Sequence, residues 1–148
     1  FVLTTSTEQN YDFFSAFHTE APFAGLGKID PAGDPDSVAI STLGSWQWAS
    51  ADMFVNSLLV PMDGRTTADF GDTYVYYADG GWSWTVPYVA GIYALCCQVR
   101  PDIGPEEFYR AAMDTSTEIT RTQPGGSQSY TFHVINPQAL ISSLQTTS

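Results

Sequence analysis

An apolar segment that covers residues 86–99 constrains the fold more than any other part of the chain. Its apolar side chains surround the whole circumference of a helix: Val89, Ala90, Ile92, Tyr93, Ala94, Leu95, Cys96 and Cys97. A helix that is apolar on every side is buried within a domain. The sequence therefore predicts a central helix that is covered all round by other elements.

A glycine-rich turn and a serine directly precede this helix, in the order Gly81-Trp82-Ser83. A serine at a helix start has its backbone N–H in a region of partial positive charge, which stabilises an oxyanion. These residue types therefore favour a serine nucleophile at Ser83. The alternative is a buried helix that merely begins after a Gly-Gly turn, with Ser83 as its N-cap.

The segment 81–91 resembles the nucleophile motif of the subtilisin-like serine peptidases (subtilases), usually written Gly-Thr-Ser-Met-Ala-Thr/Ser-Pro-His-Val-Ala-Gly. The positions that agree are Gly81, Ser83, Pro87, Val89, Ala90 and Gly91. The positions that differ are Trp82, Trp84, Thr85, Val86 and Tyr88. The resemblance implies that Ser83 is the nucleophile of a serine endopeptidase.

Four further segments resemble subtilase landmarks and occur in the family's order. Residues 36–41 resemble the strand after the oxyanion loop, and 58–64 resemble the strand and turn before the nucleophile. Residues 100–108 resemble the end of the serine helix and the start of the next one, and 134–140 the C-terminal Leu-Ile-Asn segment. The resemblance implies an α/β fold, with three α/β/α layers and a mostly parallel sheet. Residues 1–148 would be its C-terminal part, as one domain.

The acid and the base of a subtilase triad are not found at matching positions. The family supplies Asp and His before Ser in the chain, and the two histidines here, His18 and His133, lack the family's context. Both are expected to be surface or packing residues. The resemblance therefore implies that an upstream segment, the N-terminal half of the catalytic domain, supplies both partners. Without that half, we expect residues 1–148 to be inactive and prone to association.

The oxyanion hole of the family combines the serine N–H with an Asn side chain after a strand. Alignment of residues 2–8 with that strand makes Thr7 or Asn10 the candidate donor, and Thr5, Ser6 and Trp82 the candidate substrate contacts. Loss of one such hydrogen-bond donor lowers the turnover rate by a factor of about 10²–10³. Trp82, in place of a small hydroxyl residue, would either narrow the site or form a wall for stacking.

Composition restricts the partners. The chain has 16 acidic and 5 basic residues and a net charge of −11, which opposes binding to nucleic acid and to anionic membranes. Cys96 and Cys97 are adjacent and are predicted to be free, buried thiols. No cofactor or metal ligand set is evident. The resemblance to subtilases implies that calcium sites and a secreted or cell-surface location are possible, because both are common in the family. No calcium ligands can be assigned from this sequence.

Three functional hypotheses follow. The first is a subtilisin-type endopeptidase that acts on peptide or protein substrates. The second is a catalytically impaired pseudoprotease that serves as a binding or regulatory module, because of Trp82, Trp84 and the missing Gly-Asn. The third is an unrelated α/β binding domain, which predicts a buried and unreactive Ser83.

The remaining elements are predicted from local patterns. Strands are expected at 1–5, 37–42, 58–62 and 131–135, and an extended segment at 73–77. Helices are expected at 105–114 and 137–144, a turn at 124–127, and a surface excursion with weak helical content at 11–35.

Overall fold

A computed structural model describes residues 23–26, 55, 57–78, 80, 82–122 and 125–145. Its strands are β1 (Phe23–Leu26), β2 (Leu58–Pro61), β3 (Arg65–Ala68), β4 (Tyr74–Tyr77), β5 (Thr117–Thr122) and β6 (Ser129–Val134). Its helices are α1 (Thr85–Val99), α2 (Pro105–Asp114) and α3 (Pro137–Gln145). The strands predicted at 1–5 and 37–42 lie outside the described residues.

The main sheet has four strands in the order β1-β2-β6-β5. β1 and β6 each pair with β2 in parallel, whereas β5 pairs with β6 antiparallel. β3 and β4 form a separate antiparallel hairpin. The described chain is therefore an α/β fold with a mixed sheet, which confirms the predicted class.

Strand β2 is buried along its whole length. Successive side chains of a strand point to opposite faces, so Leu58 and Val60 share one face and Leu59 lies on the other. The face of Leu58 and Val60 joins a single core cluster with the helices: Val89, Ile92, Cys96, Ile103, Phe108, Ala112, Ile135, Leu140 and Leu144. Leu59 is paired with Val134, and both are also buried. Strand β2 is thus shielded from water on both faces.

Helix α1 corrects one prediction. Its buried residues are Thr85, Val89, Ile92 and Cys96, whose spacing of three and four positions defines a single stripe. The side chain of Leu95 is 44% exposed, and Ala90 and Ala94 are exposed as well. Within the described part of the chain the helix is therefore not covered all round, because β2 and α3 pack along one side of it.

Helices α2 and α3 confirm the helices predicted at 105–114 and 137–144. Pro105 occupies the first turn of α2, where Glu106 and Glu107 favour the positive end of the helix dipole. At α3, the Asn136 side-chain oxygen accepts a hydrogen bond from the Ala139 N–H at 3.0 Å. Such a contact satisfies a backbone donor that the helix leaves without a partner.

Three strands were not anticipated. β1 lies within residues 11–35, where an excursion with weak helical content was predicted, so that prediction is wrong at Phe23–Leu26. β3 and β5 fall in polar segments, and their partners β4 and β6 supply the backbone hydrogen bonds that make them strands. The predicted turn coincides in part with residues 125–127, where Gly125 has a φ of 76°.

The two cysteines are free, as predicted; Cys96 is buried and Cys97 is half-buried. Burial, with a smaller contribution from the charge of Cys97, raises the pKa of Cys96 from 9.0 to about 11. The folded state therefore favours the neutral thiol. The stabilisation that comes from keeping Cys96 protonated is complete below about pH 9 and is lost as the pH rises towards 11.

We accordingly expect the free energy of unfolding to decrease between about pH 9 and pH 11, and Cys96→Ala to reduce that decrease. Urea unfolding at pH 8 and pH 10.5 would measure it in wild type, in Cys96→Ala and in Cys97→Ala, which should reduce the decrease by a smaller amount because the Cys97 charge is the smaller cause. The Tyr93 pKa is also raised by burial and by Cys97, so part of the decrease remains in Cys96→Ala. Identical pH slopes for wild type and Cys96→Ala would contradict the expectation.

Candidate functional site

Ser83 lies in a single turn of 3₁₀-helix, Trp82–Trp84, that runs directly into α1. Its side chain is exposed. Trp84, not Ser83, occupies the N-cap position of α1, and no side chain caps the helix there. The interpretation of Ser83 as the N-cap is therefore wrong. The serine hydroxyl is accessible at the positive end of a 15-residue helix.

The segment that leads into this turn is fixed to the end of β2. The Gly80 N–H donates to Asp63 Oδ1 at 2.7 Å, and the Gly64 N–H donates to the Ala78 carbonyl at 3.0 Å. A Cβ atom at Gly80 would lie 1.9 Å from the Met62 carbonyl oxygen. Only glycine permits this approach, so the position of the serine turn depends on Gly80.

The β3–β4 hairpin lies beside the serine turn. Arg65 and Tyr77 face each other across the hairpin, and each contacts the start of α1. The ring centroids of Tyr77 and Trp84 are 5.1 Å apart, and the Arg65 guanidinium carbon lies 5.0 Å from the centre of the Tyr88 ring. Aromatic pairs and cation–π contacts of this kind fix the hairpin on the helix.

A cavity opens between the hairpin and the first turn of α1. Its volume is about 300 Å³, and it is lined by Arg65, Thr66, Thr67, Trp84, Pro87 and Tyr88. Trp84 follows Ser83 directly in the chain, so one wall of the cavity begins at the residue next to the serine. Sequence reasoning missed Arg65 and the hairpin. The Gly71 turn between β-branched and aromatic residues was the signal that could have found them.

The remaining predicted site residues are not brought to Ser83 by the described structure. Thr5, Ser6, Thr7, Asn10 and His18 all lie outside the described residues. Trp82 belongs to the serine turn, but its side chain is not described. Within the described ranges, no side chain forms a hydrogen bond with the Ser83 hydroxyl.

His133 lies in β6. Its side chain contacts residues in and just before β5, the strand at the edge of the sheet. Its Nδ1 atom is 3.0 Å from Ser116 Oγ and 3.9 Å from Glu118 Oε1. In a serine–histidine–acid triad the serine and the acid use opposite ring nitrogens, whereas here both approach Nδ1. These contacts agree with the packing role that we predicted for His133.

No group of three His, Cys, Asp or Glu side chains among the described residues could hold a metal ion. No helix in the same part of the chain is both long enough and apolar enough to cross a membrane.

Comparison with known proteins adds no family assignment: no protein-family model matches the chain, and no curated protein matches it either. The functional interpretation therefore depends on the motif around Ser83 and on the geometry of the serine turn.

Proposed function

We propose that this chain is part of a serine endopeptidase of subtilisin type, which hydrolyses peptide bonds through an acyl-enzyme on Ser83. The observation that carries the proposal is the exposed Ser83 hydroxyl at the entrance to α1. The hypothesis of an unrelated α/β binding domain predicts a buried Ser83. The exposure of Ser83 does not agree with that prediction.

The chemistry would use the helix start as one half of an oxyanion hole. The first N–H groups of a helix have no intrahelical partner and point towards the entering ligand. The Ser83 N–H would stabilise the negative charge on the carbonyl oxygen as the hydroxyl attacks. The second donor would come from Thr7 or Asn10, and substrate contacts from Thr5, Ser6 and Trp82.

A base must accept the Ser83 proton, because a serine hydroxyl is a weak nucleophile at neutral pH. In the proposed enzyme, Asp and His belong to an N-terminal half of the catalytic domain. The exposed side of α1, with Ala90, Ala94 and Leu95, gives that half an apolar surface to cover. Burial of β2 on both faces supports the finer proposal of three α/β/α layers.

Peptide hydrolysis tests the proposal. The longest natural form of the protein is incubated with a mixture of unstructured peptides, and the products are identified by mass spectrometry. We expect internal cleavage that disappears after treatment with a fluorophosphonate. Folded protein that cleaves no peptide and binds no fluorophosphonate would contradict it.

A pseudoprotease is the second candidate, and the aromatic surroundings of Ser83 favour it. Trp84 is packed on Tyr77, and Tyr88 is half-buried beside Arg65. Large rings so close to the serine in the sequence would restrict the space for a tetrahedral intermediate. In a pseudoprotease the surface around Ser83 would bind peptides without cleaving them. An upstream segment that lacks a catalytic His would favour the pseudoprotease over the endopeptidase.

A further inference from the structure

The tip of the β3–β4 hairpin, residues 69–74, carries an inference about a partner. We propose that this tip docks a basic segment of a protein or peptide, whose Lys or Arg side chains lie on the rings of Phe70 and Tyr74. The inference goes beyond the proposed function, because it requires no reaction at Ser83.

Two aromatic side chains at the tip are exposed to solvent. Phe70 is 97% exposed and Tyr74 is 78% exposed. The residue opposite Tyr74 across the hairpin is Ala68, whose methyl group is too small to cover the ring. Large apolar side chains that a folded chain groups together in water are typical of an interaction surface.

The backbone of the tip is a closed turn that exists before any partner binds. The Asp69 N–H donates to the Thr73 carbonyl at 3.0 Å, and the Thr73 hydroxyl donates to the Phe70 carbonyl at 2.9 Å. Gly71 lies inside this turn with a φ of 73°, a left-handed conformation that favours glycine. Because these contacts fix the segment that carries both rings, less conformational freedom is lost on binding.

Carboxylates of the same tip determine the chemistry of the partner. Asp69 and Asp72 are exposed and form no ion pair with any described residue. The basic residue of the hairpin, Arg65, lies at the opposite end, in register with Tyr77. The chain as a whole has a net charge of −11. A second copy of the chain would therefore be repelled, whereas a basic segment would be attracted.

Lys and Arg side chains match both features of the tip. Their charged ends are attracted to the face of an aromatic ring within about 6 Å, and they also pair with carboxylates. Their methylene groups pack on apolar surface while the charged end stays near water. The hydrogen bond between residues 69 and 73 joins the two sides of the tip, so one such side chain can reach a ring and a carboxylate. The rings alone would accept any apolar partner, and the two aspartates select a basic one.

Peptide titration tests the inference, with the Ser83→Ala form of the longest natural protein so that no peptide is cleaved. The probes are blocked hexapeptides with arginine at alternate positions and the same peptides with glutamine, and the backbone N–H signals of residues 69–74 are followed by NMR. We expect these signals to shift, and the arginine peptide to bind at least about fivefold more tightly than the glutamine peptide at low salt. The difference should decrease at about 0.3 M salt, because exposed charges are then screened.

Variants locate the preference for arginine. Phe70→Leu and Tyr74→Leu keep an apolar side chain but remove the ring, and each is expected to reduce the preference at least about twofold. Asp72→Asn is expected to reduce it as well. Asp114→Asn is the matched control, because it removes an exposed carboxylate from the end of α2 and should leave the preference unchanged. All four side chains are exposed, so the amide signals of α1 should stay in place and show that each variant is folded.

Three results would overturn the inference. The first is equal binding of the arginine and glutamine peptides, or binding that shifts no signal of residues 69–74. The second is a dimer that Phe70→Leu dissociates, because a second copy would then be the occupant. The third is protection of the Phe70 ring from a soluble paramagnetic agent before peptide is added, because another segment of the protein would then cover the tip.

Discussion

Replacement of Ser83 by alanine abolishes the fluorophosphonate adduct of the longest natural form of the protein and reduces peptide hydrolysis by at least about 10³-fold, the loss expected when a triad member is removed. The physical reason is that the exposed Ser83 hydroxyl is the proposed nucleophile. Fold should be unaffected, because an exposed side chain is shortened by one atom. Intact mass spectrometry and the unfolding midpoint would measure the two effects separately.

A second serine provides the control. Ser116 Oγ lies 3.0 Å from His133 Nδ1, which makes it the described serine with a histidine within hydrogen-bond distance. Ser116→Ala should leave the adduct and the hydrolysis unchanged. An adduct that survives in Ser83→Ala and disappears in Ser116→Ala would identify Ser116, the residue before β5, as the nucleophile and would refute the subtilase interpretation of the motif.

The helices were predictable because each one starts with a local signal. Pro105 with two glutamates predicts α2, because proline has no N–H to leave unpaired and acidic residues favour the positive end of the helix dipole. Asn136 followed by a proline predicts α3, because its side chain accepts a hydrogen bond from a terminal N–H. The covering of α1 was not predictable. Apolar composition tells which side chains avoid water, whereas the neighbours that shield them are determined by the whole assembly.

The strands that escaped prediction depend on distant partners. β5 has Ile119 as its one apolar residue, and its ladder to β6 includes side-chain hydrogen bonds between hydroxyl groups, such as Thr120 to Thr131 at 2.9 Å. β3 has a polar sequence and exists because β4 pairs with it. Pairing of this kind leaves no periodic apolar signal in one strand alone.

The candidate site likewise combines a feature that follows from local sequence with one that depends on distant residues. Ser83 at the start of α1 was predicted from neighbouring residues, because a Gly-Gly turn, a serine and an apolar run are contiguous. The cavity was not predicted, because Arg65 reaches Tyr88 only through the fold of the hairpin. The position of Arg65 depends in turn on the turn at Gly64, whose φ of 65° favours glycine.

Gly80→Ala should have the largest effect on stability, a loss of about 3 kcal/mol or more in the free energy of unfolding. The added Cβ would lie 1.9 Å from the Met62 carbonyl oxygen and 2.7 Å from its carbonyl carbon. These atoms belong to the backbone and cannot rotate away, so the chain must separate there. Separation also breaks the hydrogen bond from the Gly80 N–H to Asp63 Oδ1.

The same substitution should displace the serine turn, because Gly80 anchors the segment that leads to Ser83. Urea unfolding measures the loss of stability, and the rate of fluorophosphonate labelling at a temperature where the variant is folded measures the displacement. Asp63→Ala removes only the acceptor and should cost about 1–3 kcal/mol. Gly104→Ala is the matched control, since nothing lies within 4 Å of its added Cβ, and its cost should stay below about 1 kcal/mol. Equal stability of Gly80→Ala and Gly104→Ala would disprove the close approach of Gly80 to Met62, and with it the anchoring of the serine turn to β2.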